Sequence, residues 1–177
     1  MILSSAEFLE FFIEKEYITN VNQRDLIATE GVGLDLSLSE LFQINEESGE
    51  LLIDVRRTPS SKPVELNKEN IYVLEPGCAY LARTIEEFNL PQNLACSFFP
   101  RSTLFRSGIL FESAVLSTGY NGPMVFGLYN MNSKPFYIQK NARFAQVIFQ
   151  EVMGNVNGYK GQWQLGRISQ SIYEKQI

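Results

Sequence analysis

The chain has 177 residues with 15 Lys and Arg against 20 Asp and Glu, a formal charge of −5, and 45% hydrophobic residues; this is the balance of one globular domain over residues 1–177 and excludes a mainly disordered chain. It contains no histidine, which excludes Ser-His-Asp and Cys-His catalysis, HExxH zinc sites and zinc-dependent nucleobase deamination, so no zinc is expected. An isoelectric point near 4.9 argues against duplex nucleic acid as a partner, and with no basic leader and no apolar run near the roughly 20 residues a bilayer demands, the expected setting is the cytoplasm, away from membranes.

In chain order, the first feature is a helix start. Ser4-x-x-Glu7 has the spacing of a capping box, and Leu3 and Phe8 that of a hydrophobic staple. Phe8, Leu9, Phe12 and Ile13 then recur at helical spacing with Glu10, Glu14 and Lys15 left for water, which predicts a helix of about ten residues inside an N-terminal helical segment at 1–20. No second segment carries a helical signal of that strength.

From Gly31 the pattern becomes that of short strands: 33–38, 71–74, 79–82, 94–99, 124–129 and 144–152, punctuated by Glu75-Pro76-Gly77, Thr118-Gly119 and Asn121-Gly122-Pro123. Many short strands with close turns predict an all-β barrel or sandwich. The stretch 56–68, with Pro59, Ser60, Ser61 and Pro63, reads as a long surface loop. Cys78 and Cys96 are too far apart for a CxxC pair and read as reduced, buried thiols.

Three stretches carry candidate chemistry. Pro100-Arg101-Ser102-Thr103-Leu104-Phe105-Arg106 follows an apolar run, and a strand that ends in Pro and opens a short helical turn aims backbone N–H groups, hydroxyls and guanidiniums at one spot, which suits a polyphosphate. Residues 110–130 read as a β-hairpin turning near Gly119–Pro123, whose backbone would read a base edge while Tyr120 packs on a sugar. The glycine-rich stretch 154–177 reads as a flexible tail that closes over a ligand, with Lys160 or Arg167 meeting phosphates. An ordinary strand junction, a packed hairpin and a frayed terminus are the structural alternatives.

Taken together, "MILS" and its helix, "GLDLSL", "EPGCAYLARTIEEFNLPQNL", "PRSTLFRSGI", "GYNG", "ARFAQVIF" and "GYKGQ" resemble, in that order and over nearly the whole chain, the dCTP deaminase and dUTPase superfamily. The resemblance implies a mainly β fold, a distorted β-barrel or jelly-roll of the dUTPase-like type with an N-terminal α-helix. It also implies a homotrimer with nucleotide sites at subunit contacts, and dCTP, dUTP or a related deoxynucleotide arriving with Mg²⁺. By the same resemblance Arg101, Ser102, Thr103, Arg106 and Gln146 fall on phosphate-binding motifs and Tyr120 on the aromatic beside the deoxyribose. Asp35 falls on an acidic residue behind the metal, and Tyr159, Lys160 and Gln162 on the closing tail, with Lys160 off the family's register.

Two positions depart from that pattern. The strand after the hairpin holds Gly127 where deaminases of the superfamily use a water-activating glutamate, and Ser117 stands where its dUTPases use an aspartate. No carboxylate lies between Glu112 and Glu151, which leaves Glu112 as the candidate base. The expected function is a pyrimidine deoxynucleoside triphosphate hydrolase that deaminates dCTP to dUTP or cleaves dUTP to dUMP and pyrophosphate. The alternatives are a nucleotide-binding member without efficient catalysis, in a regulatory or structural role, and a purely structural subunit.

Overall fold

The computed structural model describes residues 1–29 and 31–176. In chain order the elements are β1 (Ile2–Leu3), α1 (Ser5–Glu14), β2 (Ile18–Thr19), α2 (Gln23–Ile27), β3 (Leu34–Ile44), β4 (Glu50–Leu51), β5 (Val55–Arg57), β6 (Ser61–Pro63) and β7 (Ile71–Leu74). They continue with β8 (Ala79–Asn89), β9 (Leu94–Pro100), α3 (Ser102–Arg106), β10 (Ile109–Glu112), β11 (Asn121–Asn130), β12 (Phe136–Gln139), β13 (Arg143–Glu151), a 3₁₀ turn (Gln164–Gly166) and β14 (Glu174–Lys175). The fold is mainly β, as expected, and jelly-roll-like. Its principal sheet runs β1-β13-β3-β8-β11-β10 with β2, β6 and β9 attached to β8, β3 and β13; among the described residues no ladder joins its two ends into a closed barrel.

Period-2 alternation builds the core. On β8 the side chains of Tyr80, Ala82, Thr84, Glu86 and Phe88 turn inward, and on β11 those of Met124, Phe126, Leu128 and Asn130 do so. Aromatic pairs fill the centre, with ring centroids 4.9 Å apart for Phe98 and Phe126 and for Phe111 and Phe126. Helix α1 covers one end, laying Leu9 and Phe12 inward so that Phe12 meets Phe149 of β13 at 4.7 Å.

Several expectations change on contact with the structure. Ser4 is the N-cap of α1, but its side chain makes no capping bond; its backbone oxygen accepts from Glu7 and Phe8, and the neighbouring Ser5 hydroxyl bonds Val32 O. The stretch 56–68 is not one loop, because β5 and β6 lie in it. Hairpin pairing of β10 with β11 stops at Glu112↔Gly127. The chain then leaves as an excursion that bridges Leu116 to Cys96 and docks the Gly119–Tyr120 turn on Leu90. Residues 154–157 of the tail are exposed, and from Gly158 the tail lies against the body as far as Gln176; Ile177, the last residue of the expected tail, lies outside the described residues.

Candidate functional site

Strand β13 gathers the first cavity. Along one edge it pairs with β9 and along the other with β3, so Gln146 lies opposite Phe99 on one side and Asp35 on the other. Just past Pro100, Arg101 serves as the N-cap of α3 and its N–H bonds Phe144 O. A polar cavity of about 230 Å³ results, lined by Arg24, Asp25, Gly33, Asp35, Pro100, Arg101, Ser102 and Gln146. Gly33 is required here for space: a Cβ on it would sit 2.7 Å from Gln146 Cγ and from Val147 O.

Charge in this cavity is arranged around Asp35. Its Oδ2 lies 2.9 Å from Arg143, 3.2 Å from Arg101 and 4.0 Å from Arg24. Asp25 is buried, its Oδ2 has no hydrogen-bond partner among the described residues, and burial first, then the Asp35 charge, push its carboxyl above the ordinary range. Among the described residues, three guanidiniums against two carboxylates leave the cluster one formal charge positive, which favours an anion.

The second cavity, of about 440 Å³, is apolar. Its walls include Ile44, Pro59, Leu81, Val115, Ser117, Tyr120, Met124, Val125, Tyr159, Trp163 and Arg167. Tyr120 and Tyr159 meet edge to face at 5.6 Å. The buried Tyr120 hydroxyl donates to Pro123 O at 2.7 Å and accepts from Gly166 N at 3.3 Å, while desolvation pushes its ionisation upward and keeps it neutral. The two cavities share no lining residue.

Glu112, Gly127 and Leu81 form one row across β10, β11 and β8, since Glu112 pairs with Gly127 and Gly127 with Leu81. Strand alternation puts Val125 on the same face, and both Leu81 and Val125 line the apolar cavity. Glu112 itself is exposed and is not among the residues lining that cavity. A Cβ added to Gly127 would lie 3.3 Å from Glu112 Cβ.

Of the residues expected from sequence, Asp35, Arg101, Ser102 and Gln146 thus share one cavity, and Tyr120 and Tyr159 the other. Thr103 and Arg106 are not brought to either: both are exposed on α3, with Arg106 over the Phe105 ring at 5.6 Å. Lys160 is exposed, and Gln162 accepts from Arg56. Sequence reasoning passed over Arg24, Asp25 and Arg143. Asn22, which caps α2 through Arg24 N, was the available signal for the first two, and Arg143 stands inside the quoted "ARFAQVIF".

A profile of the dCTP deaminase-like family matches residues 2–152. The chain belongs to that family. It is 37% identical over 135 residues to a probable deoxyuridine 5′-triphosphate nucleotidohydrolase of Methanosarcina mazei, covering 75% of this chain and 78% of that one. It is 30% identical over 169 residues to a dUMP-forming dCTP deaminase of Persephonella marina, covering 93% and 92%. Among solved structures, the 2′-deoxycytidine 5′-triphosphate deaminase of Agrobacterium tumefaciens superposes with a TM-score of 0.66 at 19% identity, over 86% of this chain and 49% of that one, a likeness of fold. Among the described residues of this family member no helix is long and apolar enough to cross a membrane.

Proposed function

We propose that this family member is a cytoplasmic hydrolase of pyrimidine deoxynucleoside triphosphates, releasing ammonia from dCTP or pyrophosphate from dUTP. The row Glu112, Gly127, Leu81 carries the reading: Glu112 pairs with Gly127, where the resemblance would place a glutamate, and Gly127 pairs with Leu81, which lines the apolar cavity. Glu112 takes the proton of the attacking water, and Tyr120 and Tyr159 enclose base and sugar. Arg24, Arg101, Ser102 and Gln146 receive the phosphates.

Magnesium would arrive as a passenger of the substrate, held mainly by phosphate and water. Asp35, engaged by Arg143 and Arg101, would stand behind it, and Asp25, whose Oδ2 has no hydrogen-bond partner among the described residues, is the other carboxylate lining the polar cavity. When bound, Mg²⁺ neutralises phosphate charge; the chain's own residues hold and orient the nucleotide. The two cavities share no lining residue, and the homotrimer that the resemblance implies, with nucleotide sites at subunit contacts, would let one nucleotide meet the cavities of two copies. It gives Thr103, Arg106, Lys160 and Gln162 a neighbour's nucleotide to meet.

Incubation with dCTP and with dUTP plus Mg²⁺, followed separately for ammonia, pyrophosphate and dUMP, tests the proposal. Glu112→Gln is expected to lower turnover by about 10²- to 10⁴-fold while nucleotide binding persists. A second reading, binding without turnover, is favoured by one observation: no carboxylate lies among the residues lining the apolar cavity. Silence of the unmodified protein in all three assays, with binding retained in calorimetry, selects it.

A further inference from the structure

Beyond Tyr159 the tail forms a strap pinned at two places, with the apolar cavity between them. The inner pin is neutral and tightly packed. Tyr159 N bonds Thr118 O at 2.7 Å, the Gln164 side chain accepts from Asn121 N at 2.7 Å and donates to Gly119 O at 3.3 Å, and Gly166 N reaches the buried Tyr120 hydroxyl. Leu165 Cα would stand 2.5 Å from a Cβ on Gly122, and Pro123 Cγ 2.5 Å from one on Gly166.

The outer pin is ionic and partly open to solvent, its side chains 12 to 30% exposed. Glu174 lies 3.0 Å from Arg56 and 3.0 Å from Arg167, and the same two guanidiniums stand 5.0 and 5.5 Å from the centroid of Trp163. Strand β14 adds to β5, and Thr58 and Gln170 exchange bonds at 2.9 and 2.7 Å. Trp163 and Arg167 both line the apolar cavity. Thus one carboxylate holds two cations, and those two cations hold one cavity wall.

We propose that Glu174 is a positioning residue for this pocket: through Arg56 and Arg167 it fixes Trp163 as a wall, and a ligand enters and leaves by release of this outer pin while the inner pin stays closed. The proposal rests on the nucleotide-binding reading only for the identity of the ligand. The choice of pin follows from its chemistry. Ion pairs that solvent still reaches weaken as salt rises, whereas the close backbone packing of Leu165 on Gly122 and of Gly166 on Pro123 does not depend on charge.

The chain has a single tryptophan, so its emission reads this wall alone. Without nucleotide, acrylamide quenching of Trp163 is expected to rise between ionic strengths of about 0.01 and 1 M, across which the screening length falls from about 30 to 3 Å. In Glu174→Gln it is expected to be high at both, with the melting temperature nearly unchanged; Glu174→Asp restores the salt response and Lys175→Ala leaves it as in the parent. With dUTP or dCTP and Mg²⁺ bound, Glu174→Gln is expected to release nucleotide about three- to tenfold faster, through the loss of two ion pairs that solvent partly reaches. Quenching that is independent of salt in the parent, or identical in parent and Glu174→Gln, overturns the proposal whether or not nucleotide binds. Absence of nucleotide binding in calorimetry overturns the functional reading and leaves the quenching result to decide the pin.

Discussion

Both carboxylate oxygens of Glu86 accept from the backbone N–H of Ser37, at 3.1 and 2.9 Å. The bond fills a gap in the sheet. Ser37 pairs with Arg143 on β13, while the next residue, Leu38, pairs with Thr84 on β8. A strand that changes partner there would leave a buried N–H without an acceptor, a loss of about 1–3 kcal/mol. The Thr84 hydroxyl completes the junction by donating to Glu86 O and accepting from Met124 N.

Burial raises the Glu86 carboxyl from 4.5 to about 7, against the lowering effect of its bond to Ser37. The folded protein therefore binds this proton more tightly than the unfolded chain. The stabilisation is complete below about 4.5 and is lost as pH rises through about 7, on the order of 3 kcal/mol in all. Denaturant unfolding across that window is expected to show the decline, and Glu86→Gln to flatten it.

A glutamate introduced at position 127 would meet Glu112 directly. With only 3.3 Å between the Cβ positions, two carboxylates opposite each other cost about 0.2–1 kcal/mol. Gly127→Glu alone is expected to melt lower than the parent, and the pair Gly127→Glu with Glu112→Gln to recover most of that loss. Ammonia release from dCTP by the double variant, followed in a coupled assay, checks whether the introduced group reaches the ring.

Arg101→Ala is expected to weaken triphosphate binding about tenfold or more, as loss of a charge-assisted contact implies, with nucleoside binding nearly unchanged. Calorimetry with both ligands separates the two effects. Arg106→Ala acts differently. Because that side chain is exposed and away from both cavities, its loss is expected to weaken triphosphate binding only in the assembled oligomer and to leave the melting temperature alone.

Gly122 has φ +116 and no room for a side chain against Leu165. Gly122→Ala is expected to cost more than about 1 kcal/mol and to loosen the inner pin. A lower melting temperature together with greater Trp163 exposure is the outcome to look for.

Much of this was legible in the sequence, for identifiable reasons. The α1 stripe Phe8, Leu9, Phe12, Ile13 appears as read because its period matches its burial. Strand β8 was read only to Ala82, since Thr84 and Glu86 are polar residues on its inward face and break the apolar alternation. Asp35, Arg101, Ser102 and Gln146 were found by motif, but the clamp of Arg143, Arg101 and Arg24 around Asp35 is a property of strand adjacency and has no signature along the chain. The same holds for the contact of Trp163 with Arg56, which lies on the distant strand β5, whereas Arg167 follows Trp163 by four residues in the same tail.

The place of β13 between β3 and β9 bears on synthesis. It is the last long strand in chain order, and it pairs with β1 at the start as well as with the strands bearing Asp35 and Arg101. Until residues as late as Glu151 have left the ribosome, those side chains have nothing to align them. Non-local pairing of this kind is slow and leaves earlier strands exposed while they wait. A nascent chain whose β13 has not yet paired therefore lacks the polar cavity, whose lining comes together only when that strand joins β3 and β9.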